Sequence, residues 1–268
     1  MMNRSPSRST PPSSVTADLL AQTPLLRRAK ALRLLGLVTH WEQVSAAPWL
    51  PDLLQWEEDE RGAHSMQRRL ARSKIGAFKP IADFDWAWPK VCDRAAVEEL
   101  LSLQFMAEYA NAILIGPNGI GKTTIARNIA YQAVCAGHTV LFVTAADMLA
   151  SLTTTDSASR LERRLRYFAS FDLLCIDEVG YLSYSNQHAD LLFELLNRRY
   201  EKKCTLVTTN RAFSQWHEVF PNAACVVSMI DRLIHKADII ALEGESFRLK
   251  EAQERSSRRK ARRPGASS

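Results

Sequence analysis

The sequence predicts an α/β fold, a parallel sheet covered by helices on both faces, preceded by a small helical domain. Three observations carry this. Short apolar runs (AILI, TVLFVT, LLCI, TLV) alternate with amphipathic helical stretches from about residue 94 onward, as expected of strands buried on both faces. A glycine-rich turn, GPNGIGKTT from Gly116 to Thr124, joins one such run to a helix. Over residues 15–77 leucines recur at three-and-four spacing with basic residues between them, the period of helices.

The elements follow in order. Residues 1–14 are polar and rich in Pro and Ser, and read as a disordered tail without the apolar segment of a secretory signal. Residues 15–77 read as an N-terminal helical domain. The stretch from Pro51 to Ile75 turns from acidic to basic along its length, the order that suits a helix dipole. FKPIADFDWAWPK, Phe78 to Lys90, has two prolines, four aromatics and no helical period; 78–93 reads as an ordered linker whose aromatics pack on a neighbouring domain or border a nucleotide base. Residues 94–250 read as the main domain. RAAVEELLSLQFMAEY is expected as one helix, DIIAL and SFRLK as two short strands, and 251–268 as a basic disordered tail.

The 268 residues carry 35 Lys and Arg against 29 Asp and Glu, a net charge of +6. The positive charge gathers at Arg27, Arg28, Lys30 and Arg33, at Arg61, Arg68, Arg69, Arg72 and Lys74, and again in the tail from Arg255 to Arg263. Such clusters favour a polyanion, most often nucleic acid. No apolar run approaches the length of a membrane span, so no membrane partner is expected. The five cysteines are scattered without a C-x-x-C pair, which argues for free thiols in a reducing, cytoplasmic setting and against a zinc site or disulfide framework.

The chemistry centres on the glycine-rich turn. Gly116-x-x-x-x-Gly121-Lys122-Thr123 fits the P-loop pattern, with the strand before it and the helix after it that the pattern requires. Its backbone N–H groups (Gly116, Pro117, Asn118, Gly119, Ile120, Gly121 and on to Thr124, Pro117 lacking one) curl toward one point, and the following helix adds its positive end. Lys122 would reach the β- and γ-phosphates of ATP, and the Thr123 hydroxyl would ligate Mg²⁺. LLCIDE ends a buried strand with two acids: Asp177 suits the Mg²⁺ side, and Glu178 is placed to polarise an attacking water. LVTTN ends another strand at the same sheet edge, where Asn210 would orient the water or sense the γ-phosphate. Arg232, in MIDRLIH, is a candidate arginine finger, with Arg198, Arg199 and Arg211 as rivals. Tyr181, just past the acids, packs on the sheet or relays nucleotide state.

The order GPNGIGKTT, LLCIDEVGYLS, TLVTTN, SMIDRLIHKADIIALEGESFRLK resembles the IstB-like family. These are AAA+ P-loop ATPases encoded beside the transposase of bacterial insertion sequences, and they are similar to the DnaC helicase loaders. The similarity runs from about Leu25 to Lys250, and its IDEVGYLS and DRLIH…EGESFRLK stretches are far more specific than the P-loop. The resemblance implies an AAA+ domain with no C-terminal lid behind a helical DNA- or partner-binding domain. It implies ATP- and DNA-dependent homo-oligomers on duplex DNA that assist a partner transposase in target selection or strand transfer. Lys122 and Thr123 become Walker A residues, Asp177 and Glu178 Walker B, Asn210 sensor 1 and Arg232 the arginine finger. Two other functions share this core. A helicase loader would prefer single-stranded DNA. A nucleotide-gated scaffold would not need Glu178.

Overall fold

The computed structural model describes residues 23–155, 157–181, 185–220 and 224–261. Expectations for 1–22, Tyr184 and the end of the basic tail lie outside these residues. The chain divides into two compact units, 1–65 and 66–268.

The described part of the first unit is helical. α1 (Pro24–Ala31) starts with proline at its first position and ends with Arg28 and Lys30 in its last turn, both favourable placements. α2 (Leu35–Thr39) and α3 (Trp41–Val44) are single turns, and α4 (Leu50–Ser73) runs on into the second unit. Leu26, Ala29, Leu32, Trp41, Leu50 and Leu54 form the small core. Arg28 clips α1 to α4 by paired bonds to Glu58, both 2.8 Å. The hydrogen bond to Arg28 draws the Glu58 carboxyl below its ordinary range.

The second unit is built on a six-stranded sheet. Its strands are β1 (Val91–Cys92), β2 (Asn111–Ile115), β3 (Val140–Thr144), β4 (Leu173–Val179), β5 (Cys204–Thr209) and β6 (Ala237–Glu243), in the order β1-β6-β2-β5-β4-β3. Every pairing is parallel except that of β1 with β6. Alternate strand residues enter opposite cores. Ile113, Leu174 and Ile176 join α8 (Ala145–Thr153), α9 (Ala158–Ser170), α10 (Asn186–Arg199), α11 (Trp216–Val219) and α12 (Val226–Ile234). Ala112, Leu114, Leu173 and Cys175 join α5 (Arg94–Leu101), α6 (Gln104–Ala107) and α7 (Lys122–Cys135). The centre of the sheet is therefore apolar on both faces, and the carboxyl ends of its parallel strands are where sheets of this kind bind ligands.

Two side chains fix the strand starts. Asp172 accepts from the Thr139 N–H (2.8 Å), the Thr139 hydroxyl (2.7 Å) and the Lys203 ammonium (2.5 Å). Burial alone would raise its carboxyl, but the Lys203 ammonium and the Thr139 donors outweigh burial and hold it down at about 2. Arg199 is 1% exposed and donates to Thr205 Oγ1 (3.1 Å), to the carbonyls of Phe168 and Ala169 (both 3.1 Å) and Phe171 (2.9 Å), and to that of Cys204. It thus caps the last turn of α9, whose carbonyls have no partner within the helix.

Several local expectations are corrected. SFRLK is not a strand: α13 (Phe247–Ala261) begins there, and residues 251–261, expected as tail, continue the helix. The end of β6 is already taken by β1, at Cys92↔Leu242 and Val91↔Glu243. Ser246 Oγ accepts the Leu249 N–H (3.4 Å) and starts the helix instead. The linker 78–93 contributes that strand and a 3₁₀ turn, Ile81–Asp83. The helix expected over RAAVEELLSLQFMAEY breaks at Leu103, whose φ is +64°. Among the described residues no helix is long and apolar enough to cross a membrane. The five cysteines are free, and the described residues hold no His, Cys, Asp and Glu cluster of the metal-binding kind.

Candidate nucleotide site

The loop Gly116–Gly121 leaves β2 between β5 and β6 and turns into α7. Two glycines are required by contact as well as by conformation. A side chain on Gly116 would strike the Leu242 carbonyl at 2.3 Å. Gly121 has φ +112° with the Phe84 ring 2.6 Å from where its Cβ would stand. Lys122 is buried and donates to the carbonyls of Gly116 (2.6 Å) and Pro117 (2.8 Å). Burial presses its ammonium down to about 8. The Asp177 and Glu178 carboxylates oppose that, and the Arg248 charge adds to it. A buried cation held on carbonyls beside two acids is suited to meet a polyphosphate.

The two acids are brought together by a break in the sheet. Ile176 pairs with Val207 and Val179 with Thr209, so Asp177 and Glu178 both face the single residue Thr208. This is a β-bulge, which re-aims side chains. Glu178 takes φ +63°, a left-handed conformation uncommon for a residue with a side chain. Neighbours on a regular strand point to opposite faces. Here Asp177 reaches Thr123 while Glu178 lines the same pocket. The Thr123 hydroxyl donates to Asp177 Oδ1 at 3.1 Å, and the Thr208 hydroxyl donates to the same oxygen. Thr208 also accepts the Glu178 N–H at 3.0 Å and so fixes the bulge.

Thr123, Thr208 and Glu178 border a pocket of about 520 Å³. Asn118 to Thr124, Glu178, Tyr181 and Asn210 line it. The Asn210 Oδ1 is buried and without a hydrogen-bond partner. An uncompensated buried acceptor beside a phosphate loop is positioned to receive a water or ligand proton. The donor set of the Thr123 hydroxyl and Asp177 carboxylate is hard oxygen, which fits Mg²⁺.

The far wall was only partly legible. Lys79, Phe84, Asp85 and Trp88 come from the aromatic segment after α4, and Phe247, Arg248 and Glu251 from the first turns of α13. The segment hangs on α7, where Asn128 bonds the Ile81 N–H (2.8 Å) and the Lys79 carbonyl (3.0 Å). It meets α13 through Trp88 Nε1 on the Glu245 carbonyl (2.9 Å) and Lys250 on Asp85 (3.3 Å). These aromatics pack, Phe78 on Tyr131 and Trp88 on Phe247, and Phe84 and Trp88 line the pocket.

The candidate finger stands elsewhere. Arg232 lies on α12 with its guanidinium 4.6 Å over the Phe193 ring, and it does not line its own chain's pocket. Arg198 is paired with Glu162 (2.9 and 2.6 Å) and Glu194, and Arg199 is committed to α9. Arg211 sits 3.6 Å from Glu218 and against Gly180.

A P-loop on a parallel sheet of this order, with an acid pair on the next strand but one and a polar strand end between them, defines an AAA+ P-loop ATPase. The particular family follows from comparison with known proteins. The family model described as IstB-like ATP binding protein matches residues 19–255, and the chain belongs to that family. It is 38% identical over 198 residues to a protein described as the ATP-binding protein of insertion sequence IS21 from Pseudomonas aeruginosa, covering 74% of this chain and 75% of that one. It is 36% identical over 208 residues to the corresponding protein of insertion sequence IS5376 from Geobacillus stearothermophilus, covering 78% and 83%. The crystal structure of DnaI shares the fold, with a TM-score of 0.52 and 20% identity over 64% of this chain and 90% of that one.

Proposed function

We propose that this chain is an ATP-dependent DNA-binding helper. It assembles as a homo-oligomer on duplex DNA and assists a partner transposase in target selection or strand transfer. The observation that supports it most is the bulge, which directs Asp177 to Thr123 and Glu178 into one pocket with the P-loop. Lys122 and the loop amides bind the phosphates, while Thr123 and Asp177 hold Mg²⁺. When bound there, Mg²⁺ would supply positive charge to the phosphate oxygens. Glu178 takes the proton from the attacking water, and Asn210 orients that water through its unpaired Oδ1. Arg232, outside its own pocket, serves the site of a neighbouring subunit, where it stabilises charge on the transferring phosphoryl group. The cations at Arg68, Arg72 and Lys74, all exposed, contact duplex phosphates with little sequence preference. The protein works in the cytoplasm and on the nucleoid when DNA-bound.

The test is ATP turnover with and without a random duplex at several salt concentrations. Stimulation by duplex that collapses between about 50 and 200 mM salt is expected. Turnover indifferent to duplex but raised by single-stranded DNA would instead favour a helicase loader.

A further inference from the structure

Among the described residues, the first unit leaves one face of α4 exposed. α4 turns Leu50 and Leu54, both 0% exposed, toward Leu26, Ala29, Leu32 and Trp41. At 3.6 residues per turn, Trp56 and Ala63 fall on the side of the helix away from Leu50 and Leu54, with Asp52 and Asp59 along one edge and Glu60 along the other. Trp49, one residue ahead of α4, continues the line. Trp49 is 47% exposed and Trp56 63%. Indoles are enriched where proteins meet partners, since they bury a large apolar area at small entropic cost.

The charge around the stripe narrows the partner. Residues 52–60 hold five carboxylates and no cation, in a chain whose net charge is +6. Glu58 is engaged by Arg28 and Glu57 by Arg61, Asp59 accepts from Gln55 Nε2 (2.9 Å) and Glu60 lies 3.8 Å from His64; Asp52, Asp59 and Glu60 are exposed along the edges of the stripe. Such a surface repels duplex phosphates. It equally repels the same stripe on a second copy. An apolar aromatic line edged with acids complements an amphipathic helix with a basic polar face.

We propose that the Trp49–Trp56 stripe is a docking face for a basic amphipathic helix of the partner transposase, distinct from the cations that hold DNA. This rests on the reading that the chain serves a transposase, and the experiment separates the two. The full-length chain, with ATP and a random duplex, is titrated with the transposase encoded by the same insertion sequence. Wild type is compared with Trp49→Ser/Trp56→Ser and with Asp52→Lys/Asp59→Lys.

The expected result is duplex-stimulated ATP turnover unchanged in both variants, which also shows that they fold. Transposase affinity falls about 30-fold or more in the tryptophan variant. In the charge-reversed variant affinity falls most at low salt. Wild-type transposase affinity in both variants would overturn the docking face while leaving the function standing. Loss of self-assembly with transposase binding intact would overturn it in favour of a second copy. No association of wild type with the transposase would sink the functional reading, and this one with it.

Discussion

A Glu178→Gln protein is expected to turn over ATP about 10²–10⁴-fold more slowly than wild type while binding nucleotide equally well. The amide keeps the size and the pocket position of the side chain but cannot accept the proton of the attacking water. A second variant separates chemistry from architecture. Glu178 sits at φ +63°, where a residue with a side chain is disfavoured by about 1–2 kcal/mol. Glycine adopts that conformation freely, so Glu178→Gly loses hydrolysis yet unfolds at a denaturant concentration no lower than wild type. Glycine in a regular strand position would instead weaken the fold by about 0.5–1 kcal/mol. Steady-state turnover, a nucleotide titration and a urea melt test all three parts. Turnover of the glutamine protein within twofold of wild type would remove Glu178 from the mechanism. A destabilised glycine protein would remove the strained bulge.

Replacing Arg199 by leucine is expected to destabilise the second unit by about 3 kcal/mol or more. The guanidinium is buried, and burial presses its pKa to about 10, which leaves it charged at neutral pH. Its removal strands the carbonyls of Phe168, Ala169, Phe171 and Cys204 and the Thr205 hydroxyl in an apolar interior. Each buried group left without a partner costs about 1–3 kcal/mol, and some of these retain other bonds. Arg199→Lys recovers little, because one ammonium cannot span acceptors that a planar fork reaches. The effect extends to the site: Thr205 is the second residue of the strand that carries Thr208 and leads into Asn210. Urea unfolding followed by circular dichroism measures it. A change below about 1 kcal/mol would mean that the carbonyls find other donors.

These two residues show where the sequence was readable and where it was not. The strands of the sheet other than β1 were legible because they are apolar runs, and the P-loop because few other functions need glycines and a lysine at that spacing. The acid pair was legible as a pair. Its geometry was not, since a bulge depends on the strand beside it and Glu178 carries no local sign of a left-handed backbone. Thr208 lay in a stretch already singled out, but only the fold places its hydroxyl on Asp177. Arg199 read as a rival candidate for the arginine finger. Its burial is imposed by the end of α9, thirty residues away in the chain. Phe247 to Lys250 alternate apolar and basic, the period of a strand. The outcome was decided by Val91 and Cys92, two residues too few to be recognised as the strand that takes the edge of β6 first.

The central claim is that active sites are completed between subunits on DNA. It is tested most directly by mixing Glu178→Gln and Arg232→Ala proteins on a random duplex and measuring ATP turnover. Each protein alone is expected to be nearly inactive, since an arginine finger contributes about 10³–10⁵ to turnover. In the mixture, a site with intact Glu178 on one subunit meets an intact Arg232 on the next, and turnover returns, but only with duplex present. No recovery from two folded, duplex-bound proteins would contradict the account and place Arg232 outside the shared site.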